Sequence, residues 1–282
     1  MPLTPAVQPG DAPLRLLALD TSTHRLSVAV SRPHADGTQG LWCHNGEGGA
    51  LASSGLIAAI LNLLKQADIA LHDLDALVWG HGPGAFTGLR TAAAVVQGLA
   101  YGTRSARHPQ GLPVLGIDTL LAVAEDARLQ WVAARADGPL KVTAVLDARM
   151  DEVYAATYTF AHANRPVAAL TAGPWLLKPE QLAGHLGEPP GSHAADTEPH
   201  SMLAGNALDL YGPRLSTTGL ASLGAWPTAA ALLRLAPGLL AQGLAGPAAT
   251  AQPLYVRDKV AQTTAERLPP RPPVADTPTT AP

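Results

Sequence analysis

The chain has 282 residues, of which 47% are apolar and only 15% are Asp, Glu, Lys or Arg, against about 25% charged residues in an average protein. This composition excludes an intrinsically disordered chain, and the 27 glycines show no fixed period, which excludes a collagen-like fibre. With 19 basic against 22 acidic residues the formal net charge is −3, so the chain is not a strongly basic nucleic-acid binder.

Strands and helices alternate along the first half of the chain. Apolar runs predict strands at residues 14–20, 26–31, 74–80 and 114–117. Apolar residues at helical spacing predict helices at 51–66, 89–101 and from 119 to about 134. Thr87 can serve as N-cap of the second helix, and Asp118 or Thr119 as N-cap of the third. This alternation is typical of an α/β fold.

Proline-rich ends frame the folded body. Residues 1–13 and 266–282 hold four and six prolines, and we expect a disordered arm and a disordered tail there. A surface loop is predicted over 187–199. Three parts of the body are predicted: an N-terminal lobe at 14–118, a C-terminal lobe at 119–225, and a helix and terminal segment at 226–265 that pack back on the lobes.

A pattern of strand, aspartate, turn and strand occurs twice. Asp20 ends the first strand of residues 16–30, and Asp147 ends the first strand of residues 142–160. The pattern is common in hairpins, so coincidence is one interpretation. The other is a duplicated fold with two hairpins facing each other across a cleft, as in the ASKHA (actin/hexokinase/Hsp70-like) proteins. There, hairpin amides and a Mg²⁺-bearing aspartate hold nucleotide phosphates.

Residues 80–90, GHGPGAFTGLR, form a glycine-rich connection between a strand and a helix. The segment lacks the lysine of a P-loop and the glycine spacing of a dinucleotide-binding motif. Its glycines either permit close packing of the backbone or leave free amides that hold an anion at the start of the helix.

These motifs occur with others in the order and spacing of one family. The segments LLALDTSTHRLSVAV, GHGPGAFTGLR, VVQGLA, VLGIDTL, VLDARMDEVYAATY and AQPLYVRDKV resemble the TsaB (YeaZ) family from residue 16 to residue 260. The resemblance implies an ASKHA fold of two duplicated lobes, each with a mixed sheet and flanking helices. It also implies a part in forming N6-threonylcarbamoyladenosine at position 37 of tRNA.

The resemblance further implies partners. Family members pair with TsaD, the subunit that transfers the threonylcarbamoyl group, and the ATPase TsaE joins them. Alone they form homodimers, and they reach tRNA only through the complex. The pairing uses a four-helix bundle, whereas the residues alone favour packing of both helices on their own sheet. The predicted interface residues are Leu56, Ile60, Leu63, Ala94, Val95, Gly98, Leu99 and Gly102.

No catalytic residue or metal ligand is predicted. The catalytic relative holds its metal with an HxxxH pair on its first long helix, but residues 49–66 contain no histidine. There is no GxSxG motif, and Cys43 is expected to be a small buried residue on a strand. We therefore expect no cofactor of its own, and the binding of ATP or ADP at the cleft or the complex interface is left open. Gly205 stands alone where nucleotide-binding relatives have a glycine pair.

A vestigial phosphate cleft is the second predicted site. Arg90 and Arg149 either orient a phosphate there or pair with a local carboxylate. The predicted cleft residues are Asp20, Thr21, Ser22, Gly82, Gly84, Arg90, Asp147 and Arg149.

The sequence favours a non-catalytic scaffold subunit of the threonylcarbamoyladenosine transferase complex. Two rivals remain, a self-sufficient ASKHA phosphotransferase acting on a small molecule and a glycoprotease-like peptidase. Because the chain has one cysteine and neither a signal-peptide pattern nor an unbroken apolar span, we expect a cytoplasmic protein without a membrane segment.

Overall fold

A computed structural model describes residues 14–48, 52–106, 108–134, 138–186, 199–215 and 220–257. The predicted arm, the predicted tail and nearly all of the loop predicted over 187–199 lie outside these residues.

Within the described residues, ten strands form two five-stranded sheets. The first sheet has the order β3-β2-β1-β4-β5, and the second has the order β8-β7-β6-β9-β10. In both, the first three strands pair antiparallel and the last two add in parallel. The strands are β1 Leu16–Asp20, β2 Arg25–Pro33, β3 Gln39–Glu47, β4 Ala76–Gly82, β5 Val114–Asp118, β6 Leu140–Arg149, β7 Glu152–Phe160, β8 Ala168–Leu177, β9 His200–Ala204 and β10 Ala221–Leu223. The shared order and directions confirm that the fold is duplicated.

Six α-helices flank these sheets in the described part of the chain. They are α1 Ala52–Gln66, α2 Phe86–Gly102, α3 Thr119–Ala134, α4 Leu182–Leu186, α5 Ala207–Tyr211 and α6 Ala229–Ala241. The long helices of the first half begin and end close to the predicted residues. The prediction of Thr87 as N-cap of α2 is wrong, because the helix begins at Phe86 and Thr87 lies inside its first turn. Asp118 does cap α3, since its Oδ1 accepts from the amides of Leu120 and Leu121 at 2.7 and 3.2 Å.

The first strand is buried on both of its faces. Leu17 and Leu19 contact the core beneath α1 and α2, whereas Leu16 and Ala18 contact the core beneath α6. Successive side chains of a strand point to opposite faces, so a strand covered on both sides is apolar at every position. The continuous apolar run of β1 therefore places the first sheet between two helical layers.

The second sheet is covered in the same way. Helix α3 packs on one face and the short helices α4 and α5 on the other. Helices α3 and α6 also contact each other, which joins the two lobes. At this contact Glu125 is fully buried and accepts from Arg128 of α3 and Arg234 of α6.

Cys43 lies on an exposed part of the edge strand β3. Its predicted burial is wrong, since the residue is solvent-exposed. Only Gly40 of this strand is buried, because a strand at the edge of the sheet has fewer neighbours to cover it.

Candidate functional site

The two hairpin turns face each other across a cleft with a cavity of about 260 Å³. Four of the eight predicted cleft residues line it, Ser22 and Gly84 from the first lobe and Asp147 and Arg149 from the second. Asp20, Thr21, Gly82 and Arg90 are not among the lining residues, and their part in a phosphate cleft stays a prediction. The other lining residues are Thr23, His24, Ala85, Phe86, Ala148, Met150, Tyr154, Asn206, Leu254, Tyr255 and Arg257.

Asp20 lies behind the first hairpin turn and not in the cavity. Its Oδ1 accepts from the amide and the hydroxyl of Ser22 at 2.9 and 2.7 Å. Its Oδ2 is buried against Gly80 and has no hydrogen-bond partner among the described residues. Burial raises the pKa of this carboxyl to about 7, because removal from water disfavours the charged form. Asp20 therefore braces the turn with one oxygen and is partly protonated at neutral pH.

The glycine-rich turn packs tightly on the first hairpin. Ala85 donates its amide to the carbonyl of Ser22 at 2.7 Å, and a Cβ on Gly84 would lie 2.6 Å from that carbonyl oxygen. The hydroxyl of Thr21 is likewise engaged, because it donates to the carbonyl of Gly88 at 2.7 Å. These contacts favour the packing interpretation of the turn, since the backbones come closer than a side chain would allow.

Asp147 braces the second hairpin turn in the same manner as Asp20 braces the first. Its Oδ1 accepts from the amide of Arg149 at 2.8 Å and from the hydroxyl of Tyr211 at 3.1 Å. Its own amide donates to Oδ1 of Asn206 at 3.0 Å. The two aspartates share an i to i+2 hydrogen bond, which extends the duplication to the turns. They differ in burial, because Asp147 reaches the cavity and Asp20 does not.

The two predicted arginines have different surroundings. Arg90 lies on α2, where its guanidinium stacks 3.7 Å from the ring of Phe86 and donates to the hydroxyl of Tyr255 at 3.1 Å. Arg149 lines the cavity, and its Nε lies 3.5 Å from Oδ2 of Asp147. Arg149 pairs with a local carboxylate, as one of the two interpretations held, and its side chain is largely exposed.

The lining of the cleft is mostly apolar, with a few polar and charged groups among it. Ser22 donates its hydroxyl to Asp20, and Asn206 accepts from Asp147, so two of the polar groups are already engaged within the chain. Arg149 and Arg257 bring guanidinium groups to the cavity. The described residues contain no group of three or more His, Cys, Asp and Glu side chains that could hold a metal ion.

On helix α1, the exposed apolar residues are not the ones that were predicted to form the interface. Leu56, Ile60 and Leu63 are buried in the core of the first lobe, so the prediction is wrong at these positions. The accessible apolar residues of α1 are their neighbours Ile57 and Leu61, which are 41% and 58% exposed.

Helix α2 contributes the other half of this surface. Ala94, Gly98 and Gly102 are exposed, and nothing lies within 4 Å of a Cβ placed on either glycine. Tyr101 is 59% exposed, whereas Val95 and Leu99 are partly buried against the core. Helices α1 and α2 contact each other. We call this surface the docking face, formed by Ile57, Leu61, Ala94, Gly98, Tyr101 and Gly102.

Several cleft residues escaped the sequence-based prediction. Asn206 follows the fourth strand of the second sheet, as the glycine-rich turn follows the fourth strand of the first, so the duplication could have indicated it. Tyr255 and Arg257 belong to a segment without regular structure, and no local pattern pointed to them.

Comparisons with known proteins agree with this architecture. The family model for TsaD, tRNA N6-adenosine threonylcarbamoyltransferase, matches residues 52–223. The chain is 34% identical over 145 residues to the tRNA threonylcarbamoyladenosine biosynthesis protein TsaB of Escherichia coli, which covers 51% of this chain and 55% of that protein. For TsaB of Haemophilus influenzae the identity is 37% over 142 residues, covering 50% of this chain and 52% of the relative. These matches span about half the length of the curated relatives.

A solved structure extends the likeness to nearly the whole described body. YeaZ from Pseudomonas aeruginosa superposes with a TM-score of 0.69 at 32% identity, covering 86% of this chain and all of that one. None of the helices in the described ranges has both the length and the apolar character needed to cross a membrane.

Two duplicated lobes with a cleft between paired hairpins define a protein with an ASKHA-like fold. The chain belongs to the TsaB (YeaZ) family, within the wider group that the TsaD family model describes. Curated members of this family are named as tRNA threonylcarbamoyladenosine biosynthesis proteins.

Proposed function

We propose that this chain is the scaffold subunit of a tRNA N6-threonylcarbamoyladenosine transferase complex. It docks TsaD through the docking face and supports its activity, without metal-dependent catalysis of its own. TsaE joins the pair, and tRNA is bound through the complex. In the absence of TsaD, the same face pairs two copies of this chain.

The exposed docking face carries this proposal. Ile57 and Leu61 leave large apolar surface in water, and apolar surface of this kind is typical of sites that bind another protein. The neighbouring glycines of α2 leave open space above the backbone, so a partner helix can approach closely. The names of the curated relatives support a part in this pathway, and the match to the TsaD family model supports a fold related to that of the proposed partner.

The cleft supports a scaffold more than a phosphotransferase. Oδ1 of Asp20 is engaged by Ser22 and its Oδ2 lies against Gly80, so neither oxygen reaches the cavity. Asp147 is in turn engaged by Tyr211 and Arg149. A phosphotransferase needs a free carboxylate for a hydrated cation and a base beside the acceptor.

The test is reconstitution of tRNA modification. TsaD and TsaE from the same source are incubated with a tRNA transcript and their substrates, with and without this chain. We expect modified adenosine only when the chain is present, and co-purification of the chain with TsaD. Equal modification without the chain would overturn the scaffold role.

A matched pair of glycine variants locates the interface. Gly98→Leu places a bulky side chain on the docking face, whereas Gly238→Leu does so on α6, where a Cβ also meets nothing within 4 Å. We expect about a tenfold or greater loss of TsaD affinity for Gly98→Leu and no loss for Gly238→Leu. Circular dichroism establishes that both variants are folded. Steady ATP turnover or peptide cleavage by the isolated chain would instead favour one of the two enzyme rivals.

A further inference from the structure

Residues 251–257, here called the strap, cross from the first lobe to the second at the cleft. The strap has no regular secondary structure and follows the helix α6 that packs on the first sheet. Leu254, Tyr255 and Arg257 line the cleft cavity together with both hairpin turns. The strap is therefore a link between the lobes that is separate from the contact of α3 with α6.

The strap is anchored to the docking helix α2 of the first lobe. Gln97 of this helix donates its side-chain amide to the carbonyl of Ala251 at 2.9 Å. One turn from its start, Arg90 donates to the hydroxyl of Tyr255 at 3.1 Å. The ring of Tyr255 also lies 5.4 Å from the ring of Phe86, centroid to centroid.

The glycine-rich turn holds the strap as well. Leu254 donates its amide to the carbonyl of His81 at 2.7 Å. The carbonyl oxygen of Leu254 approaches Gly82 so closely that a Cβ there would lie 2.5 Å from it. Because Gly82 has a φ of +123°, a conformation that other residues rarely adopt, the strap and the turn are fitted to each other at this point.

Arg257 fastens the strap to the second lobe. Its side chain is only 14% exposed and forms an ion pair with Oε2 of Glu152 at 2.6 Å. It also donates to the carbonyls of Ala148 and Arg149 at 3.1 and 3.4 Å. A partly buried, forked guanidinium of this kind holds several acceptors in one geometry, which a single exposed ion pair does not.

The acceptors of Arg257 belong to a strained turn. Arg149, Met150 and Asp151 have φ values of 62°, 54° and 62°, in the left-handed region that non-glycine residues rarely occupy. Consecutive residues in this region persist only where their surroundings hold them. Arg257 contacts the turn from the strap side, and Arg214 holds Asp151 from the other with a bidentate pair at 2.5 and 2.9 Å.

We propose that the strap holds the docking helix α2 and the second lobe in one fixed relation, and that Arg257 is the positioning residue that fastens it. Helix α3 joins the lobes through its contacts with α6, β4 and β5, none of which lies at the cleft cavity, and two lobes joined away from the cleft can open and close about that contact. The strap adds a second attachment across the cleft and stops that motion. The role in docking rests on the proposed function, whereas the fixed separation of the lobes does not.

The separation can be measured on the isolated chain. Cys43, the single cysteine, is exposed on β3 of the first lobe, and Ala169 is exposed on β8 of the second. Spin labels on Cys43 and on Ala169→Cys report the distance between the two sheets by pulsed electron spin resonance. We expect one narrow distribution, which Arg257→Gln broadens about twofold and Arg257→Lys broadens less.

A matched control is Arg165→Gln, which removes an exposed arginine between β7 and β8 and should leave the distribution unchanged. An unchanged distribution in folded Arg257→Gln would overturn the proposal. If Arg257→Gln fails to fold, hydrogen exchange of the parent chain tests the proposal instead. The Leu254 amide should then exchange at least about a hundredfold more slowly than an exposed amide, and fast exchange would overturn the proposal.

A separate measurement tests whether Arg257 positions the docking face. TsaD affinity should fall about tenfold in Arg257→Gln, although the residue lies outside the docking face. If affinity is unchanged while Gly98→Leu abolishes binding, the positioning role is wrong and the proposed function stands. If Gly98→Leu also binds normally, the proposed function fails, and the distance measurement still tests the strap.

Discussion

The carbonyl oxygen of Thr21 lies where a Cβ of Gly88 would be, 1.8 Å from that ideal position. In return, the hydroxyl of Thr21 donates to the carbonyl of Gly88 at 2.7 Å. The start of helix α2 is thus seated against the first hairpin through backbone atoms, and the space between them has no room for even one methyl group.

Gly88→Ala should therefore be strongly destabilising. The new methyl group overlaps backbone, which cannot move aside as a flexible side chain can, so we expect a loss of about 3 kcal/mol or more. Gly98→Ala in the same helix meets open space and should gain up to about 1 kcal/mol, because alanine is the better helix former. Urea unfolding measures the free energy of unfolding of both variants. Equal changes in the two variants would show that the contact between Gly88 and the first hairpin is not rigid.

Adjacent residues of α1 should have opposite phenotypes. Ile60 is fully buried in the first-lobe core, and Ile60→Ala should cost about 2–5 kcal/mol through lost burial and the cavity left behind. Leu61 is 58% exposed on the docking face, so Leu61→Asp should change the free energy of unfolding by at most about 0.5 kcal/mol.

Substitution at Leu61 should also affect association with a partner. Leu61→Asp should lower the affinity for TsaD, or dissociate a homodimer, because it places a charge in an apolar contact. Sedimentation of the chain with and without TsaD checks this. A stable Leu61→Asp variant that associates normally would remove α1 from the interface.

The reversal between Ile60 and Leu61 shows what the sequence could and could not predict here. Helical spacing correctly identified an apolar stripe containing Leu56, Ile60 and Leu63. Which stripe covers the sheet and which meets a partner depends on how the helix is rotated on the sheet. The sequence pattern does not determine this rotation when apolar residues occur on both sides of the helix.

The duplication was easier to predict than the cleft that it creates. Each hairpin with its terminal aspartate is a local pattern, so Asp20 and Asp147 were found in the sequence. Their different surroundings depend on Gly80 beside Asp20 and on Asn206 and Tyr211 beside Asp147, which only the folded chain brings together. Contacts between residues so far apart in the chain leave no periodic trace in the sequence.

Asp20 should give the protein a measurable pH dependence. In the unfolded chain its carboxyl ionises near its ordinary pKa of 3.8, whereas in the native protein burial raises the pKa to about 7. Between these values unfolding releases a proton, so the native state loses stability as the pH rises, and the loss is complete above about pH 7.

Asp20→Asn removes this titration and keeps an acceptor for Ser22. The difference in unfolding free energy between Asp20→Asn and the parent should therefore grow in favour of the variant from pH 5 to pH 8. The increase between pH 5 and pH 8 has an upper bound of about 3 kcal/mol, because about two units of the pKa shift fall in this range and each corresponds to about 1.4 kcal/mol. Other buried carboxyls titrate equally in both proteins and cancel. A difference that does not vary with pH would show that Asp20 is ionised throughout this range.

Glu125 should be the most sensitive charged residue of the fold. Its carboxylate is fully buried and accepts from Arg128 at 2.5 and 2.8 Å and from Arg234 at 2.6 Å. Glu125→Gln keeps the shape but removes the carboxylate charge that Arg128 and Arg234 share between α3 and α6. We expect a loss of about 3–5 kcal/mol, because removing one partner of a buried ion pair exposes the full desolvation cost of the other.

The exposed pair of Glu180 with Arg214 is the matched control for Glu125. Both of its side chains remain in contact with water, so Glu180→Gln should destabilise the chain much less than Glu125→Gln. Urea unfolding at one pH and one salt concentration compares the two variants, and added salt should weaken only the exposed pair because solvent ions screen it. Comparable losses for the two variants would mean that water reaches Glu125, and that the helix pair joining the lobes is open to solvent.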